Sequence, residues 1–176
     1  MTFLEWTHPC KTKTGFKLTN GNSKDHRPDL KQLVFSLSVS SDGAVPVHHK
    51  VYSGNRTDDT THIETWKILN DITGFPHFIY VADCKVCTSE QLDYIVRNGG
   101  RVVTTMPKTW IEYKTFIESL RIKKKKKQYL WRRPIPGSIN EYETFSIYTG
   151  EYSTRKKEYS LYWYHSSVKE KFDRQN

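Results

Sequence analysis

The sequence predicts a mixed α/β fold, and three observations predict it. Residues 33–39 alternate as a half-buried strand does, residues 60–72 carry apolar side chains at helical spacing, and the run Phe78-Ile79-Tyr80-Val81-Ala82 stops on a carboxylate, Asp83. Open α/β sheets place their chemistry at the carboxyl ends of strands, so position alone makes Asp83 a candidate functional residue.

Strand-like residues begin at Thr2. A polar block, Ser23-Lys24-Asp25-His26-Arg27-Pro28-Asp29-Leu30-Lys31-Gln32, then runs into the strand 32–40, with Leu33, Phe35, Leu37 and Val39 on one face and Val34, Ser36, Ser38 and Ser40 on the other. Asp42-Gly43 supplies a turn and 44–52 the return strand, with Pro46 near its start because proline cannot donate to a ladder. A helix is expected over 60–72, its apolar side built from Ile63, Trp66, Ile68 and Leu69, its N-cap Asp58 or Asp59 and its end near Gly74. A strand over 77–82, a helix over 89–97 stopped by Asn98-Gly99-Gly100, and a strand over 101–105 complete the α/β layout.

From Pro107 the character changes. An amphipathic piece over 110–120 leads to Lys123–Lys127, then Pro134-Ile135-Pro136-Gly137 and two aromatic-rich strand candidates over 143–148 and 159–164, which together read as a β-rich insertion. The expected organisation is an α/β core over 1–107, a basic β-rich insertion over 108–165 and the start of a helix over 166–176. Ser167-Val168-Lys169-Glu170 has capping-box spacing, yet six following residues are too few to sustain a helix in water. Both ends read as cut, and the expectation is a fragment.

Composition bounds the function. Apolar residues make up 36% of 176 and mean hydropathy is −0.73, values that suit a polar binding protein or an incomplete core. Residues 1–100 hold 11 basic and 11 acidic side chains; residues 101–176 hold 17 and 8, so the whole net charge of +9 lies in the later segment. Such an excess suits a polyanion gripped through its phosphates, with a solvated lysine face as the plainer alternative. No apolar run of 18 residues exists and the start has no signal-peptide character, so no membrane partner is expected. Three cysteines argue against a disulfide framework, and a reducing cytoplasm is the expected compartment.

Five stretches carry a resemblance: "SKDHRPDLKQ", "VHHKVYSGNRTDDTTHIETW" over 47–66, "YVADCKVCTSEQL" over 80–92, "GGRVVTTMPKT" over 99–109 and "YWYHSSVK" over 162–169. In order and spacing they resemble the insertion-sequence transposases with an Asp-Asp-Glu active site on a ribonuclease-H-like core. Residues 114–159 are poorly matched. The resemblance implies a partial ribonuclease-H-like mixed sheet with flanking helices, interrupted by a β-rich insertion. It also implies DNA transposition, metal-dependent strand cleavage and joining at insertion-sequence ends.

In-line cleavage of a phosphodiester needs both the attacking and the leaving oxygen stabilised, which a pair of divalent metals held by carboxylates achieves. Matched residue by residue, Asp83 falls on the family's second metal-binding Asp; a strand-end Asp that caps the following helix is the alternative reading. The first Asp belongs at or before Met1 and the Glu some tens of residues past Lys169. Two of three catalytic carboxylates are therefore expected to be missing. Mg²⁺ or Mn²⁺ serves the full-length family member, whereas none is expected to bind tightly here, and this chain alone is expected not to cut DNA. Its expected partners are DNA and a second copy or a full-length transposase.

Candidate DNA contacts follow from charge and place. Lys24, Arg27 and Lys31 suit phosphates, His26 suits either a phosphate or a structural hydrogen bond, and Asp25 and Asp29 would hold those bases in position. Asn55 and Arg56 lie in a stretch similar to the family's Gly-Asn-Thr segment, with Asp59 as a supporting residue. Lys124, Lys125, Lys126, Arg132 and Arg133 interleave with Tyr129 and Trp131, a mixture that can neutralise phosphates while rings pack against sugar or base. The alternatives are a DNA-binding or regulatory remnant without catalysis, and a thiol–disulfide oxidoreductase built on Cys84-Lys85-Val86-Cys87.

Overall fold

The computed structural model of the chain describes residues 2–6, 17–21, 29–56, 61–155 and 158–175. They form a mixed α/β protein with several small sheets, divided into two compact units, Met1–Met106 and Pro107–Asn176. No helix among the described residues is long and apolar enough to cross a membrane.

The first unit opens with β1 (Thr2–Trp6), β2 (Thr19–Asn20), β3 (Lys31–Val39) and β4 (Pro46–Ser53). β3 pairs antiparallel with all three others, with β4 along residues 33–39 and with β1 along 31–35. The turn between β3 and β4 is closed by Ser40 N–H donating to the Val45 carbonyl at 2.9 Å, and Pro46 sits at the strand start where its missing donor is harmless. The alternation of β3 is real, but its buried face is the opposite of the apolar one. Gln32 and Val34 are 1% and 0% exposed, while Leu37 and Val39 are each 50% exposed. That face is closed by its neighbours: Gln32 Nε2 donates to the Gly54 carbonyl at 2.9 Å, and Val34 stands opposite Tyr52, itself buried, whose hydroxyl donates to Glu64 at 3.3 Å.

α1 (His62–Thr73) ends at Gly74, whose φ of 72° and N–H to the Asn70 carbonyl at 2.9 Å make the left-handed stop that glycine favours. Its N-cap is Thr61, not Asp58 or Asp59, which lie outside the described residues. β5 (Ile79–Ala82) and β6 (Arg101–Thr104) pair in parallel, joined by α2 (Ser89–Arg97). A parallel pair needs such a crossover, since a short turn cannot return the chain to the same end. Thr88 caps α2 by accepting the Gln91 N–H at 3.3 Å. One face of the pair packs on the helices: Tyr80 joins Trp66, Val86 and Ile95 in the core, with Ala82 and Val102 against them. The other face, Ile79, Val81 and Val103, is exposed. Gly100 permits this packing, because a Cβ there would lie 2.6 Å from Ile95 Cγ2 and 2.8 Å from the Trp66 ring.

The second unit holds α3 (Ile111–Ile122), β7 (Lys127–Pro134), β8 (Tyr142–Tyr148), β9 (Tyr152–Ser153), β10 (Ser160–Leu161), β11 (Tyr164–Ser166) and α4 (Ser167–Gln175). β8 lies between β7 and β11, antiparallel to both, and β9 pairs with β10. The centre is Phe116 of α3, stacked on Trp163 at 4.0 Å and meeting Tyr148 and Tyr152 edge-on at 5.2 and 5.4 Å. The helix start at 167 exists, but its cap sits one residue earlier than the capping box implies. Ser166 Oγ accepts the Lys169 N–H at 3.1 Å, while Ser167 Oγ is occupied by the Thr144 N–H at 3.0 Å and Glu170 reaches His165 at 2.7 Å. Tertiary contacts of this kind let a nine-residue helix stand where its sequence in isolation would not.

Candidate active-site carboxylate and basic surface

Asp83 follows β5 directly and is exposed at the carboxyl end of that strand. The backbone there is held on two sides. Thr104 Oγ1 at the end of β6 donates to the Asp83 carbonyl at 2.6 Å, and the Asp83 carboxylate accepts the Lys85 N–H at 2.9 Å. It thereby caps a 3₁₀ turn over Cys84–Val86, a structural duty, while its side chain faces solvent. Among the described residues no three His, Cys, Asp or Glu side chains gather, so one carboxylate at this strand end does not fit a two-metal centre.

A polar network lies behind Asp83 that sequence alone did not disclose. Lys50 of β4 pairs with Glu64 of α1, Tyr52 donates to the same carboxylate, and His62 Nδ1 lies 3.0 Å from the Tyr80 hydroxyl on β5. The hydrogen bond from Lys50 holds the Glu64 carboxyl below the usual range. Burial pushes Tyr80 up to about 12, with Tyr52 and Asp83 adding to the shift. These phenols stay neutral and act as hydrogen-bonding struts at ordinary pH. Only the composite spacing of a strand tyrosine, two helix residues and a second strand tyrosine could have signalled them.

The thiols are unlike one another. Cys84 is exposed and Cys87 is buried, its thiol pushed up to about 11 by burial and by Cys84 beside it. Neither is in a disulfide.

Of the residues proposed for DNA, Lys24, Asp25, His26, Arg27 and Asp59 lie outside the described residues. Lys31 is exposed at the first position of β3, and Asp29 is exposed two residues before it. Gly54, at the head of the next stretch, is closely packed. A Cβ there would lie 2.0 Å from the Gln32 carbonyl oxygen and 2.5 Å from that of Thr19, so the residue is small because two strands press on it. Asn55 and Arg56 beside it are exposed, with the Arg56 guanidinium 6.0 Å over the Tyr52 ring.

The basic strip after Lys123 is not a loop throughout. From Lys127 it forms β7, an edge strand exposed along its whole length, with a register shift between Tyr129 and Trp131. Cross-strand rings order its cations. Arg132 lies 4.4 Å over Tyr142, Arg133 bonds Glu143 at 2.7 Å and lies 5.4 Å over Phe145, and Trp131 stacks on Phe145 at 4.4 Å. Lys125 sits between the Phe116 and Tyr152 rings at 5.3 and 5.1 Å, while Lys124 and Lys126 are exposed. A groove of about 510 Å³ opens beside it, lined by Phe116, Lys125, Tyr152, Leu161, Trp163 and Arg155 among others.

Comparison of the chain with protein-family models, with curated proteins and with solved structures found no match.

Proposed function

We propose that residues 1–106 form a ribonuclease-H-like core of the kind used by insertion-sequence Asp-Asp-Glu transposases, and that the basic face of residues 107–176 grips DNA. The observation that carries the reading is Asp83, solvent-facing at the carboxyl end of the first of two parallel strands that follow an antiparallel set, with a helix before each. That order of strands, and the five sequence stretches that resemble the family, support a place in DNA transposition. The ring-ordered cations of β7 support binding through phosphates, since cations fixed in advance lose less conformational freedom on meeting a polyanion. With no group of three metal-holding side chains gathered at Asp83 among the described residues, the chain binds DNA without cutting it.

The test is fluorescence anisotropy of the full chain on duplex DNA over a salt series, beside incubation with supercoiled plasmid in Mg²⁺ and in Mn²⁺. Binding is expected to weaken linearly in log salt, and Arg132→Gln is expected to reduce the magnitude of the slope by about one phosphate contact, roughly 0.9. The plasmid is expected to remain supercoiled. Absence of salt-dependent binding overturns the DNA reading; nicking that Asp83→Ala abolishes overturns the claim that the chain does not cut.

A further inference from the structure

The sequence Cys84-Lys85-Val86-Cys87 has no task in nucleic-acid binding, and its geometry gives it one. We propose that Cys84 and Cys87 are an oxidant-sensing pair that closes to an intrachain disulfide when the chain meets a hydroperoxide. This stands apart from the DNA reading and survives its failure.

Three features of the turn carry the inference. First, the Cys87 N–H donates to the Cys84 carbonyl at 3.2 Å, so the two residues are the ends of one hydrogen-bonded 3₁₀ turn. Such a four-residue turn brings its terminal Cα atoms within about 7 Å, which overlaps the span of roughly 4.4–6.8 Å that disulfides bridge. Second, the turn is tethered on every side. Val86 is wholly buried in the core with Trp66, Tyr80 and Ile95; Asp83 is bonded to Lys85 and Thr104; Thr88 is bonded to Gln91. The backbone that carries the two cysteines is therefore held at that spacing. Third, the pair is asymmetric in access: Cys84 is exposed and Cys87 is 6% exposed. An oxidant from solvent reaches Cys84 first, and Cys87 is sheltered beside it as the resolving thiol.

The chemistry balances. The Cys84 sulfur attacks the outer peroxide oxygen, the O–O bond breaks, and the thiol proton leaves with the departing alcohol or water, so that Cys84 holds a sulfenic acid. The Cys87 sulfur then displaces the hydroxyl group from Cys84. An S–S bond forms, the S–O bond breaks, and hydroxyl and thiol proton depart as water. Two electrons have passed from the sulfurs to the peroxide. The closed ring contains Lys85, whose N–H holds the Asp83 carboxylate, so oxidation is recorded beside that carboxylate.

Lys85 also makes the test direct, because trypsin cuts after it and parts the two cysteines. The wild-type full chain is treated with hydrogen peroxide, remaining thiols are blocked with maleimide under denaturing conditions, and tryptic peptides are read by mass spectrometry. The expected product is the Cys84 peptide joined to the Cys87 peptide, dissolved by reductant, with Cys10 still blocked by maleimide. In Cys87→Ser the reaction is expected to stop at a sulfenic acid on Cys84 that dimedone traps. In Cys84→Ser no linked peptide forms and Cys87 stays reduced. Sulfinic acid at Cys84 with Cys87 still free in the wild-type chain overturns the proposal, as does a cross-link found only between two chains or to Cys10.

Discussion

In residues 1–106 the buried centre is drawn from four elements: Trp66 from one helix, Ile95 from another, Tyr80 from a strand and Val86 from a 3₁₀ turn. In residues 107–176 the centre is a single ring, Phe116, stacked on Trp163 and edged by Tyr148 and Tyr152. The first arrangement is interlocked, since helices and a parallel pair meet only if each contributes one well-fitted side chain. It fixes a strand end, and with it Asp83. The second is a stack whose rims reach solvent and attract Lys125 and Lys127 to ring faces, which leaves a small unit with ordered positive charge on its outside. One unit therefore holds a carboxylate at a strand end, and the other carries cations on its surface.

Removing the central ring is the harshest way to break that contrast. Trp66→Ala is expected to cost the first unit roughly 3–5 kcal/mol, and Phe116→Ala to cost the second a similar amount. Peptide-resolved hydrogen exchange reads each unit separately. Phe116→Leu is the sharper instrument, because it keeps most apolar volume and deletes only ring–ring geometry, worth about 0.5–1.5 kcal/mol per pair. If Phe116→Leu matches wild type, stacking is not what holds the second unit together.

A smaller effect separates interlocking from openness at two glycines. At Gly100 a methyl group would press on Ile95 and Trp66, so Gly100→Ala is expected to cost about 1–3 kcal/mol through overpacking, accompanied by a shift of the Trp66 emission. At Gly137, where φ is 80° but nothing lies within 4 Å of an added Cβ, Gly137→Ala meets only the left-handed backbone penalty of roughly 1–2 kcal/mol and leaves Trp66 emission unmoved. Equal emission changes would erase the distinction.

Local signals made much of the fold legible. The span of α2 is the one its pattern predicts, Ser89–Arg97, because Thr88 caps it, Leu92 and Ile95 are buried on one face and Asn98-Gly99 stops it. Gly74 marked the end of α1 for the same kind of reason. What failed depended on the neighbouring element. The alternation in β3 is symmetric enough that either face could be inward, and contacts invisible in the strand's own letters, Gly54 against Gln32 and Tyr52 beside Val34, chose that face over Leu37 and Val39. β7 was hidden because Lys and Arg are poor strand formers; it stands because Tyr142, Phe145 and Tyr148 across the ladder give its cations and Trp131 something to lie on. At the site, Asp83 was readable from its strand end, whereas the hydrogen bonds joining Lys50, Tyr52 and Glu64, and those joining His62 to Tyr80, need three elements assembled before they exist.

The gentlest probe compares one carboxylate from each unit in acid. Glu143 is held below its ordinary range first by the Ser166 hydroxyl, which donates at 2.5 Å, and then by Arg133; Glu64 is held low by Lys50. A carboxyl lowered on folding lends stability that is complete above its ordinary value, near 4.3, and is lost as pH falls through the lowered one. Both units should therefore soften below about pH 4.5, not at neutral or alkaline pH. The Glu143 side chain is 11% exposed against 41% for Glu64, so solvent and salt screen the second pair more, and the steeper acid dependence belongs to the second unit. Hydrogen exchange across an acid series should show Glu143→Gln flattening the dependence in peptides of β8 and β11, and Glu64→Gln flattening a shallower one in α1. A slope in β8 that survives Glu143→Gln would assign its acid sensitivity to another group and leave the Ser166–Glu143–Arg133 contact without weight in holding that sheet.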